Sequence, residues 1–139
     1  MNDPRETTVN ATARNLIRRL TAAIRTAVQV SRAARYMALN GPLQEQLNSG
    51  LLIQGSTYLR TLGLNDGGVS SFRSHYGKKV KAAYRDNNNG RTPLMAWVQI
   101  DGRWMHVCVY HPADPALRTG VAAYPRLADT VRSAFAEAA

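Results

Sequence analysis

Residues 56–72 read STYLRTLGLNDGGVSSF, and the order of apolar residues and glycines along them decides the fold. Two short helices joined by a tight bend need an apolar residue late in the first and a glycine where the backbone bends with positive φ. They then need an apolar residue just past the bend, and two more, three apart, to seat the second helix on the first. Leu59 and Leu62, then Gly63, then Leu64, then Val69 and Phe72 occupy those places in order. Asn65 or Asp66 is placed to cap the second helix by accepting from its free amides. Gly67-Gly68 is an unusual opening for that helix.

Outward from this stretch, Leu43 to Ile53 is a short helical candidate weakened by Asn48-Ser49-Gly50. Ser56 to Leu62 is a second, ending at Gly63. Gly68 to about Tyr76 is a third, with Val69, Phe72 and Tyr76 at spacings of three and four. After Gly77, the segment Lys78 to Arg85 carries Val80, Ala83 and Tyr84 on one face and its cations on the others. The clearest β signal is Leu94–Tyr110. Asp101-Gly102 is a two-residue turn of the kind that supplies positive φ, joining MAWVQI to RWMHVCVY. That register sets Val98 opposite Met105 and Ala96 opposite Val107, an apolar face expected on the core. Gln99 opposite Trp104 and Trp97 opposite His106 form an amphipathic face expected to be half exposed. Ala116 to Ala138 reads as one or two Ala-rich helical pieces broken near Pro125.

Upstream, about Thr8 to Leu39 reads as one long helix without internal Gly or Pro. Leu16, Leu20, Ala23, Ala27, Val30, Ala34 and Met37 alternate spacings of four and three, a heptad seam that Ile17, Ile24 and Val28 widen on one side. Arg14, Arg18, Arg25 and Arg32 project from the opposite side. Asn40-Gly41-Pro42 ends the helix and opens the next. The seam is expected to pack on the rest of the chain or on the same helix of a second copy, giving a homodimer. Alanines at 23, 27 and 34 permit close approach but supply little burial.

Helix, turn, helix, basic helix and hairpin, in that order, resemble a winged helix-turn-helix over about Leu43 to Tyr110. The stretch KAAYRDNNNGRTPLMAWVQIDGRWMHVCVYHPADPAL is similar to the wing end of phage and plasmid DNA-binding proteins. Leu59 departs from the pattern, standing where the family usually places Ala or Gly, so the two helices are expected to sit further apart. The resemblance implies a fold mainly α with one β-hairpin: residues 1–40 a basic amphipathic helix, 41–112 the winged helix-turn-helix core, and 113–139 a C-terminal helical segment. It also implies double-stranded DNA as partner, with the second helix in the major groove and its N-terminal half against base edges. With Val69, Phe72 and Tyr76 turned inward, Asn65, Ser70, Ser71, Arg73, Ser74 and His75 are left to face the groove. Arg73 is the strongest base reader among them, because a guanidinium grips guanine's two acceptors bidentately. Lys78, Lys79, Lys81 and Arg85 would neutralise phosphates and set position without reading sequence. Arg103, beside the wing turn, is placed to reach the minor groove or its phosphates.

Charge agrees with a polyanionic partner. The 139 residues carry 18 Lys plus Arg against 9 Asp plus Glu, a formal +9. From Asn10 to Leu39 there are six arginines and no acidic residue, and from Leu51 to Ile100 seven basic residues stand against Asp66 and Asp86. No long apolar run offers a membrane span, and MNDPRETTVN lacks the pattern of a secretory signal. The single Cys108 excludes an internal disulfide framework. A cytoplasmic, nucleoid-associated protein is the expectation. His106, Cys108 and His111 lack a second cysteine pair, so no metal or other cofactor is expected. The carboxylates form no recognisable pair and no glycine-rich phosphate loop occurs, so catalysis is not expected either. The function expected is sequence-specific DNA binding by a regulator of transcription or of phage or plasmid functions. A sequence-indifferent architectural DNA- or RNA-binding protein and a protein–protein adaptor are the alternatives.

Overall fold

A computed structural model describes residues 4–138, which fall into two compact units dividing after Leu39. The first unit is the helix α1 (Pro4–Asn40), whose final residue belongs to the second unit. It starts four residues before Thr8, with Pro4 at its front, where a missing N–H costs nothing. The hydroxyls of Thr8, Thr12, Thr21 and Thr26 each donate to the carbonyl four residues back. Its apolar seam is open: Leu16, Leu20 and Ile24 are 58, 55 and 63% exposed, and Ile17, Val28 and Val30 are exposed as well.

The second unit runs α2 (Pro42–Ser49), β1 (Ile53–Gln54), α3 (Gly55–Thr61), α4 (Asp66–Asn87), β2 (Leu94–Ile100), β3 (Arg103–Tyr110), α5 (Pro115–Ala122) and α6 (Pro125–Ala138). Gly41, with φ 57°, breaks the chain between α1 and α2. Gly50 in the left-handed region returns its N–H to Leu47 O and stops α2, short of the expected Ile53. Ile53 and Gln54 instead pair with Tyr110 and Val109, making β1 an edge of an antiparallel sheet of order β1-β3-β2. The β2–β3 register sets Trp97 opposite His106, Val98 opposite Met105, Gln99 opposite Trp104 and Ala96 opposite Val107. Asp101 and Gly102 both have positive φ, the geometry of a two-residue hairpin turn matched to strand twist.

Both faces of this sheet are packed toward its inner end; of the pairs expected to be half exposed, Trp97 and Trp104 are half-buried and Gln99 and His106 exposed. Ala96 and Val109 join Leu52, with Leu43 and Leu47 of α2 against them. On the other face Cys108 and Tyr110 enter the main core with Leu59, Val69, Tyr76, Val80 and Ala83 of α3 and α4. The amphipathic pairs Trp97–His106 and Gln99–Trp104 occupy only the outer end of that second face, nearer the turn. Met105, expected on the core, is 46% exposed because it sits at that same end. Ala116, Leu117, Leu127 and Val131 bring α5 and α6 into the main core.

α4 is a single helix across Gly77, where two segments were expected. Tyr76, Val80 and Ala83 are buried on either side of that glycine. Their packing outweighs the roughly 1 kcal/mol that a helical glycine costs relative to alanine. Close approach of α3 to α4 comes at Gly55, where a Cβ would stand 3.2 Å from a Tyr76 ring carbon. Leu59, one turn later, is fully buried.

Among the described residues Asn40 is the buried polar one. Its Nδ2 donates to Trp97 O (2.9 Å) and Gln44 Oε1 (2.7 Å), and its Oδ1 accepts from Trp97 N (2.6 Å).

Candidate nucleic-acid interface

Asn65 caps α4, its side chain accepting from Gly68 N at 2.8 Å. That bond fixes the helix start despite the Gly67-Gly68 pair. It also commits the Oδ1 of one residue expected to face bases. Gly63, φ 94°, makes the bend before it, and an ion pair of 3.5 Å between Arg60 and Asp66 spans the turn.

Beyond the cap, burial divides α4 into two sides. Val69, Tyr76, Val80 and Ala83 are buried, with Phe72 and Tyr84 half-buried beside them. Ser70, Ser71, Ser74, His75, Lys78, Lys79, Lys81 and Arg85 are exposed. At about 100° per residue, Ser70, Ser74, Lys78, Lys81 and Arg85 fall in one strip, about 22 Å long at 1.5 Å per residue. Ser71 lies just beside it. His75 and Lys79 lie on the opposite shoulder, where the His75 ring meets Tyr124 edge-on at 6.1 Å. Lys79 is therefore separated from the cations it was grouped with.

Arg73 lies at the border between the two sides. Its guanidinium reaches the β2–β3 turn and pairs with Asp101 at 3.2 Å, with 38% of the side chain exposed. The hairpin turn is thereby held beside the first half of α4. Arg103, two residues along, is exposed at the start of β3. Among the described residues no carboxylate stands within ion-pair distance of Lys78, Lys79 or Lys81. Arg85 donates from Nε to Gly90 O, bracing the Asn-rich turn.

Sequence reasoning missed Asp101 as the partner of Arg73, treating it only as a turn former. It also missed Tyr124, which packs edge-on against Phe72 at 5.6 Å; the aromatic spacing along α4 was visible but not its cover. Two tyrosines sit beneath the site. Burial, then Tyr58 and Tyr110 nearby, raises the Tyr76 phenol far above its ordinary value, and its hydroxyl donates to Leu117 O at 2.9 Å. Burial, then the Cys108 thiol, raises that of Tyr110.

Among the described residues no three His, Cys, Asp or Glu side chains gather as a metal centre, and no helix is long and apolar enough to cross a membrane. No protein-family model, curated protein or solved structure matches the chain.

Proposed function

We propose that residues 41–112 form a winged helix-turn-helix that binds double-stranded DNA in a sequence-specific way, as a regulator of transcription or of phage or plasmid functions. The observation that carries this reading is the exposed strip of α4, whose Lys78 and Lys81 have no carboxylate partner among the described residues, set beside a hairpin turn. The order α2, β1, α3, bend, α4, hairpin supports it, being that of the winged helix. Ser70, Ser74 and Arg73 on the first half of α4 take the base edges; Lys78, Lys81, Arg85 and Arg103 take phosphates. Arg73 must leave Asp101 to do so. An exposed ion pair is worth about 0–1 kcal/mol, so releasing it costs little beside a bidentate contact that discriminates guanine by roughly 1–3 kcal/mol.

A homodimer through α1 goes with this reading, since two-fold sites need two modules. The seam of α1 is exposed, and in its heptad register Arg18, Arg25 and Arg32 occupy the outermost position, where like charges stay apart.

The test is a mobility shift against duplex selected from a random pool and against its scrambled version, at two salt concentrations. Arg73→Ala is expected to relax preference at one base pair. Lys81→Ala is expected to weaken all duplexes alike and lower the salt slope by about one. The occupied state of Arg73 favours one second reading, a sequence-indifferent architectural protein. Equal affinity for selected and scrambled duplex decides for it, and no binding at low salt removes both.

A further inference from the structure

Between α4 and β3, within the second unit, lies a groove of about 520 Å³. Its apolar lining comes from Val80, Met95, Ile100, Cys108 and Tyr110. Met95, on the sheet face turned to α4, is 38% exposed, leaving a flexible, polarisable side chain uncovered. Arg73, Lys78 and Lys81 line it from α4, and the two lysines have no carboxylate partner among the described residues.

Gly77 also lines this groove. Glycine weakens a helix interior relative to alanine, and the structure supplies no packing reason for it here. A Cβ added at Gly77 meets nothing within 4 Å, and its φ is not in the left-handed region, whereas one at Gly120 would strike Val80. What the missing side chain does is hold the α4 wall of the groove open. Tyr110, on the strand side, keeps a buried hydroxyl beside the Cys108 thiol, with no hydrogen bond of good geometry among the described residues.

We propose that this groove binds a small amphipathic anion, an apolar ring or short chain bearing one acidic group. The apolar body lies over Gly77 against Met95 and Cys108, and the acidic group meets Lys78 and Lys81. The volume is that of a small-molecule site, and a phosphodiester backbone has no apolar body to cover Met95. Because the ligand sits between α4 and the hairpin, it competes with duplex for the two lysines. That consequence rests on the DNA reading; occupancy of the groove does not.

The probe is 8-anilino-1-naphthalenesulfonate, titrated into the full chain without DNA. Cys108 is the sole cysteine, so its alkylation by N-ethylmaleimide reports on this groove alone. Probe at ten times its Kd is expected to slow that alkylation roughly tenfold. Gly77→Phe, which fills the groove, and Lys78→Glu with Lys81→Glu are each expected to weaken probe binding about tenfold. Leu16→Gln with Ile24→Gln, on α1, is expected to leave Cys108 protection unchanged. Probe fluorescence without protection of Cys108 in the unaltered protein overturns the proposal, and so does a folded Gly77→Phe chain that binds as tightly as before. Protection of Cys108 in a chain that binds no duplex retains the groove and removes the DNA reading.

Discussion

Two glycines inside helices of the second unit do opposite things. At Gly120 a Cβ would stand 2.5 Å from Val80 Cγ2 and 3.2 Å from the Val80 backbone nitrogen. The second neighbour cannot turn aside as a rotamer can. Gly120→Ala is therefore expected to lower stability by about 1–3 kcal/mol through overpacking, while Gly77→Ala raises it by about 1 kcal/mol. Urea titrations of both variants beside the parent check the opposite signs. Both glycines look alike in sequence, since each interrupts a helical pattern without a turn signal. What separates them is which helix lies across each one, and no local pattern carries that. Asn65 is the contrary case: a cap at Asn65 or Asp66 follows from their place before the helix, and the structure gives it to Asn65.

Element by element, the hairpin was the most legible part. Alternation along two strands and the Asp101-Gly102 turn set all four central pairs, because a two-residue turn fixes which residues stand opposite one another. β1 was not legible: two residues cannot display alternation, and only their pairing with β3 defines them. The division of α4 at Gly77 was misjudged, since propensity alone has no knowledge of the buried Tyr76 and Val80. α1 was legible as an amphipathic helix, but whether its seam is covered is not a property of its own sequence. If α1 pairs with its copy, Leu20→Glu places a charge on the seam. Sedimentation is expected to shift from dimer to monomer while the urea transition of the second unit stays within about 0.5 kcal/mol. A monomeric parent chain would remove the dimer. Of the interface, Ser70, Ser74, Lys78, Lys81 and Arg85 share one strip as helical periodicity requires. Lys79 does not, and the tie between Arg73 and Asp101 depends on how the hairpin returns to α4.

At the scale of the whole molecule, the buried tyrosines set an alkaline limit. Tyr76 and Tyr110 keep their protons in the folded chain above the ordinary phenol value of 10.0. The unfolded chain releases its own near pH 10. Above that pH the folded state holds more protons, so stability is complete below about pH 9.5 and falls as pH rises. Two such groups give a slope of roughly 2.7 kcal/mol per pH unit. Tyr76→Phe is expected to halve it, and urea midpoints between pH 9 and 11.5 measure both. A flat profile across that range would mean that the phenols are reached by water. Asn40 has a consequence at this scale too. β2 is the last strand of its sheet, and the Asn40 amide holds the N–H and C=O of Trp97 at the middle of it. A side chain thus imitates one rung of a neighbouring strand, denying the sheet the open border along which exposed strands stack into aggregates.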